Sequence, residues 1–169
     1  VAALDFNLKG DLFVSSSEDG KLIVWDWGEK KQRFGIDVKD PITDLIIHPV
    51  RNEIALGTAG GSLETWSLLE GTKLHTINKF EKALISLGFD SRGQRIITGL
   101  EDGTVQIWEY GTSLYKKTFR GHERSVETLD FSNDNNFLIS SSLDKTVRIW
   151  KVDSKNNYRS IDIGSHRVQ

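Results

Sequence analysis

Ser140, His122 and Asp144 are the residue types of a hydrolytic triad: a hydroxyl, an imidazole base and a carboxylate to orient it. That chemistry needs an exposed nucleophile and donors aimed at an oxyanion, and no Gly-x-Ser-x-Gly elbow is present to display the serine. The histidines, His48, His75, His122 and His166, are scattered without metal-ligand spacing. With no cysteine, disulfides and thiolate metal sites are excluded. Gly57-Thr-Ala-Gly-Gly-Ser62 is glycine-rich but lacks the Lys-Ser/Thr of a phosphate loop, and it reads as a turn. Lys30-Lys31-Gln32-Arg33 and Lys116-Lys117 read as solvated loop or outer strand, with docking on acid or RNA as the alternative. Arg92 and Arg95 read the same way. No catalytic residue, metal or cofactor is expected.

The bulk numbers narrow the partners. The 169 residues carry 22 Lys and Arg against 24 Asp and Glu, a net charge of −2. That balance gives no electrostatic case for nucleic acid or an anionic membrane. Apolar runs such as Leu45-Ile-Ile47 are strand-sized, far short of the roughly 18 residues that span a bilayer. The first residues do not read as a signal peptide, no Met stands at position 1 and no Asn-x-Ser/Thr sequon occurs. The expectation is an internal piece of a longer intracellular chain, cytoplasmic or nuclear.

The elements that must position these residues come from a repeat. Trp25, Trp66, Trp108 and Trp150 recur at intervals of 41, 42 and 42 residues, each closing a phrase such as Asp102-Gly-Thr-Val-Gln-Ile-Trp108. The fifth tryptophan, Trp27, falls outside this pattern. Each repeat holds four strand signals, a to d, short and rich in Ile, Val, Leu and Phe, with glycine or Asp-Gly punctuation. In the fourth they are Ser125–Phe131, Phe137–Ser141, Thr146–Trp150 and roughly 157–163. The earlier a strands are Val1–Phe6, Ile42–Ile47 and Ala83–Phe89; the b strands Leu12–Ser16, Glu53–Gly57 and Arg95–Gly99. The c strands are Lys21–Trp25, Ser62–Trp66 and Thr104–Trp108; the weaker d strands lie near Gln32–Ile36, Lys73–Ile77 and Leu114–Phe119. Four small antiparallel sheets at a fixed repeat cannot bury both faces alone, so they must stack as an all-β propeller. The blades are about 1–37, 38–78, 79–120 and 121–163, with 164–169 a tail or linker.

Gly121-His122, Leu129-Asp130-Phe131-Ser132 and Leu143-Asp144-Lys-Thr-Val-Arg-Ile-Trp150 resemble a WD40 repeat, as does Ser16 through Trp25-Asp26. The resemblance covers essentially the whole chain and is degenerate in the second repeat. It implies a buried tetrad of Trp, Ser or Thr, His and Asp in each well-formed blade. Counting back from Trp150 by 6, 10 and 28 residues gives Asp144, Ser140 and His122, a full set. From Trp108 the same offsets give Asp102, Thr98 and Phe80; from Trp25 they give Asp19 and Ser15. From Trp66 they give Gly60, Leu56 and Val38, so Trp66 should stand alone. Such a set forms one donor–acceptor chain from indole to hydroxyl to imidazole to carboxylate. It accounts for the triad-like residues without catalysis.

In families of this kind partners often meet the top face, where the d–a and b–c loops converge. Matched residues are Lys39 and Pro41, Glu81 and Ala83, Glu123 and Ser125, with Glu18, Ala59, Glu101 and Leu143 before the tetrad Asp position. Four are Glu, which suits a basic peptide better than a phosphate backbone; ordinary solvated turns are the plain alternative. The resemblance implies a non-catalytic scaffold that binds other proteins or peptides in a multiprotein complex. The alternatives are a propeller subunit of an RNA–protein assembly, of ribosome biogenesis or splicing type, and a substrate-recognition module of a ubiquitin ligase. Four repeats are few for a ring, so further blades from the same chain or from a second copy are expected partners. No membrane contact is expected.

Overall fold

The computed structural model describes residues 1–112, 114–153 and 158–162. Sixteen strands form four four-stranded antiparallel sheets, each in simple sequential order, with no helix among the described residues. Sheet 1 holds β1 (Leu4–Phe6), β2 (Leu12–Ser16), β3 (Lys21–Asp26) and β4 (Lys31–Asp37). Sheet 2 holds β5 (Ile42–Ile47), β6 (Glu53–Thr58), β7 (Ser62–Ser67) and β8 (Lys73–Lys79). Sheet 3 holds β9 (Leu84–Phe89), β10 (Arg95–Leu100), β11 (Val105–Glu109) and β12 (Leu114–Phe119). Sheet 4 holds β13 (Val126–Phe131), β14 (Phe137–Ser142), β15 (Thr146–Lys151) and β16 (Tyr158–Asp162). The observed strands differ from the sequence reading by a residue or two at most ends. β1 starts three residues late, although Ala2 and Ala3 still exchange backbone bonds with Ser16. The outer ends of the expected last strand and the 164–169 tail lie outside the described residues.

The chain divides into two compact units, Val1–Leu84 and Ile85–Gln169. In the first, Leu12, Val14, Leu22, Val24 and Ile36 of sheet 1 pack against Ile42, Leu45, Ile47, Ile54, Leu56 and the nearby Leu68 of sheet 2. In the second, Ile97, Val105, Ile107 and Phe119 of sheet 3 pack against Val126, Leu129, Phe131, Leu138, Trp150 and Val152 of sheet 4. Each fully buried aliphatic side chain contributes about 1.5–3 kcal/mol. The faces follow from the period of two along each strand, as the alternating burial of β2 shows. Glycine lets the sheets approach: a Cβ on Gly99 would overlap the Ser86 hydroxyl and lie 2.8 Å from a Val126 methyl.

Polar bonds pin the sheets within each unit. The Ile47 amide donates to Asp5 Oδ2 at 2.7 Å, and burial pushes the Asp5 carboxyl up despite this bond and one from the Phe6 amide. The Ser86 hydroxyl donates to the Val126 carbonyl at 2.9 Å. Arg95 does not read as a free surface charge: its Nε sits 3.0 Å from the buried Asp90 Oδ2 and its guanidinium lies over Phe131.

One repeated position escaped the sequence reading. The residue 18 before each of the four repeat tryptophans follows strand a and holds the a–b turn. Asn7 accepts from the Leu12 amide, His48 Nδ1 from the Val50 and Arg51 amides, Asp90 from the Gln94 and Arg95 amides, and Ser132 from the Phe137 amide. Trp27 lies outside the tryptophan interval and just past β3, yet its position is a repeated one. It stands two residues past the repeat tryptophan, as do Leu68, Tyr110 and Val152. In all four the backbone N–H bonds the same place in the a–b turn, at Asp11, Asn52, Gln94 and Asn136.

Candidate functional site

The most chemically concentrated place is the His122–Ser140–Asp144–Trp150 set of sheet 4. Ser140 comes from the middle of β14, Trp150 from β15, Asp144 from the turn joining them, and His122 from the segment before β13. Trp150 Nε1 donates to Ser140 Oγ at 2.8 Å; Ser140 Oγ lies 2.8 Å from His122 Nε2; His122 Nδ1 lies 2.8 Å from Asp144 Oδ2. The proton positions follow from the ends of the chain. Indole can only donate and a carboxylate only accept, so the serine donates to Nε2 and Nδ1–H donates to Asp144.

Asp144 is the anchor. Burial alone would raise its carboxyl, but hydrogen bonds from the Thr146 hydroxyl, His122 and the Glu123 and Thr146 amides hold it well below the usual carboxylate range. Asp144 thereby ties the b–c turn to the chain entering strand a. Ser140 is 1% exposed, so its hydroxyl is sealed from solvent as well as engaged at both ends. That is the geometry of a structural bracket.

The other repeats depart from it in distinct ways. In sheet 1, Trp25 Nε1 donates to Ser15 Oγ at 2.9 Å, while Asp19 is exposed and accepts from the Lys21 amide. In sheet 3, Thr98 Oγ1 is buried with no hydrogen-bond partner, Trp108 packs edge-on to Tyr115 at 5.5 Å, and Asp102 is exposed, accepting from the Thr104 amide. The expected indole-to-threonine link is therefore not formed. With Phe80 at the histidine offset, no imidazole is available there to take the proton of the Thr98 hydroxyl.

Sheet 2 corrects the expectation that Trp66 stands alone. Trp66 Nε1 donates to Glu64 Oε2 at 3.1 Å, and Lys73 Nζ lies 2.6 Å from Glu64 Oε1. The signal was in the sequence: Glu64 is two residues before Trp66 and so shares its face, and Lys73 is opposite Trp66 in the β7–β8 register. A second bond joins the turns here. The Thr58 hydroxyl donates to Asp40 Oδ2 at 2.8 Å, so the carboxylate comes from the d–a turn and its partner from the end of β6, where the b–c turn begins.

The d–a and b–c turns lie side by side at one end of the sheets within each unit. The Val38 amide bonds the Gly20 carbonyl, Ala59 bonds Pro41, Phe80 bonds Gly61, and Leu143 bonds Ser125. Gly103, at φ 84°, lies directly against the His122 carbonyl, which no Cβ would permit. The first unit shows Glu18, Lys39, Pro41 and Glu81 exposed in such turns; the second shows Glu101 and Glu123 exposed and Ser125 half-buried. The basic clusters are partly engaged: Lys31 pairs with Glu29, Lys116 with Glu109 at 2.8 Å, and Lys117 Nζ donates to the Val152 carbonyl at 2.7 Å. Among the described residues no three His, Cys, Asp or Glu side chains are grouped to hold a metal, and no helix is long and apolar enough to cross a membrane.

Comparison with known proteins gives a complex subunit and two RNA-associated proteins as relatives. The chain is 32% identical over 100 residues, 59% of its length, to the target of rapamycin complex subunit wat1 of Schizosaccharomyces pombe. It is 26% and 28% identical over 94 and 93 residues to the U3 small nucleolar RNA-associated protein 15 homologs of Xenopus laevis and Gallus gallus. These stretches are 55% and 54% of this chain. The matched stretches span 32% of the first relative and 18% of the other two. The family described as WD domain, G-beta repeat matches residues 1–26, 71–109 and 114–151, passing over the stretch that holds Trp66. On those three matched segments and the four four-stranded sheets, the chain belongs to the WD40 repeat family.

Proposed function

We propose that this chain is a non-catalytic, intracellular scaffold that holds protein partners in a multiprotein complex. The observation that carries the reading is the closed state of the Ser140–His122–Asp144 set. Its hydroxyl is buried and bonded to both Trp150 and His122, so it has neither access to a substrate nor a free lone pair directed at one. Recognition then falls to the exposed turns. Their glutamates favour a basic peptide or protein surface. A relative named as a complex subunit supports the same class of role. Further sheets, from the same chain or a second copy, extend the arc of blades.

Two relatives named as U3 small nucleolar RNA-associated proteins support a second reading, a subunit of an RNA–protein assembly. Direct RNA contact by Lys30, Lys31, Arg33, Lys116 and Lys117 fits less well, because three of those five are already engaged by the chain itself. No observation favours the ubiquitin-ligase alternative over these two.

The test is charge reversal at Glu18, Glu81 and Glu101 together, with circular dichroism to show an unchanged fold. Affinity capture from cell extract should lose the partner that the wild-type chain retains. Retention at wild-type level would remove the turns as the binding surface. Salt-sensitive RNA binding by the purified chain, lost on neutralising the five basic residues, would move the reading to the RNA–protein alternative.

A further inference from the structure

The four side chains that hold the a–b turns differ in one property, the pH at which each stops accepting. Asn7 and Ser132 do not titrate, and Asp90 accepts through a carboxylate. Of the four, His48 alone carries a group that exchanges its proton near neutrality, at about pH 6.5 for a free imidazole. Its residue is only 3% exposed, and Nδ1 accepts from the Val50 amide at 3.1 Å and the Arg51 amide at 3.0 Å. An imidazole nitrogen accepts only while it carries no proton. The closed turn therefore requires the neutral ring, with its proton on Nε2. An imidazolium would set a third N–H against two amide N–H groups in a buried place and leave both amides without this acceptor.

The turn is tied into the first unit on both sides. The His48 amide donates to the Glu53 carbonyl, the Leu68 amide to the Asn52 carbonyl, and the neighbouring Ile47 amide to Asp5 Oδ2 on β1. The charged groups on the surrounding strands and turns of this unit are Asp5 on β1, Lys9 and Asp11 in the turn after it, Asp44 on β5, Arg51 beside His48 and Glu53 at the start of β6. Arg51 lies 3.9 Å from Glu53. Asp5 responds to acid in the opposite sense: burial holds its carboxyl above the ordinary range, so its contribution grows as pH falls. His122 differs as well, since its Nδ1 faces the Asp144 carboxylate, a partner that an imidazolium can keep.

We infer that His48 makes the a–b turn of sheet 2 a proton-sensitive latch: the neutral ring holds the turn closed, and protonation in mild acid releases its tip at Val50 and Arg51. The closed turn refuses a proton that the open turn accepts. The latch is therefore fully present above about pH 6.5 and weakens as pH falls through that value. What is released is a surface tip, since Val50 is 72% exposed and Arg51 is exposed too. This inference does not depend on the scaffold reading or on the acidic turns.

The test is amide hydrogen exchange by NMR on the full 169-residue chain from pH 7.5 to pH 5.5, beside His48→Asn, with the His48 ring signal followed in the same series. Asparagine keeps an acceptor at this place, as Asn7 does in sheet 1, and does not titrate. In the wild type the protection factors of the Val50 and Arg51 amides should fall about tenfold across that range, as set by an open-turn imidazole with a value near 6.5. In His48→Asn they should stay constant. The wild-type ring should remain neutral below the range in which a free imidazole charges, a reading that needs no variant and so decides the matter even where the substitution unsettles the turn. A His48 ring that charges at or above about pH 6.5 while both amides keep their protection would overturn the inference. So would an equal loss of protection in His48→Asn.

Discussion

At the residue scale, the fate of a hydroxyl depends on what its neighbours can accept. Ser140 and Thr98 occupy the same offset from their tryptophans, but only Ser140 has an imidazole beside it. Thr98→Val should therefore leave stability unchanged or raise it by up to about 1 kcal/mol, because it removes a buried group that has no partner. A thermal melt reads that directly. Two carboxylates set opposite pH slopes. Asp144 is held below its ordinary 3.8, so its stabilisation is fully present above that value and is lost as pH falls through the lower folded value. Asp5 is raised above 3.8, so the folded state keeps a proton that the unfolded state has released, and stability falls as pH rises through that window. In melts from pH 7 to pH 3, Asp144→Asn should start less stable than wild type and lose less on acidification, whereas Asp5→Asn should lose more. Glu64→Gln should cost less than Glu64→Ala, because the amide oxygen still accepts from Trp66 while Lys73, partly exposed, contributes little.

At the element scale, the strands were legible because period-two apolar runs and glycine punctuation agree with the tryptophan interval. Sheet 4 was legible down to its polar set because the resemblance to the WD40 repeat implies the offsets at which those four residues are bonded. The a–b turn brackets were not, although they recur at one offset. Asn7, His48, Asp90 and Ser132 do one job with four chemistries, so residue identity hides the repeat that backbone geometry exposes. The Trp66–Glu64–Lys73 arrangement was missed for a related reason: fixed offsets sought the usual partners, while the sheet supplied others from the same face. Close sheet packing gives a further expectation. Gly99→Ala would push a methyl into Ser86 and Val126 and should destabilise by about 1–3 kcal/mol. Gly35→Ala, whose nearest neighbour would lie 3.5 Å away at negative φ, should shift the urea midpoint little.

At the scale of the whole molecule, the chain is built from repeated sheets whose polar chemistry faces inward and whose variable turns face solvent. A buried triad-like set at one sheet and its partial copies elsewhere make sense as brackets of a repeat, since an active site has no reason to recur in degraded form at fixed intervals. Among the described residues, the exposed turns differ from repeat to repeat. Membership in the family follows from the sequence; the choice of partner does not, because a WD40 fold hosts many roles. The enzyme and scaffold readings of the molecule part at Ser140. Equilibrium urea unfolding of Ser140→Ala beside the wild type tests this most directly. The account predicts a loss of about 1–3 kcal/mol, from a Trp150 indole and a His122 imidazole left without their common partner. A variant as stable as wild type would contradict it.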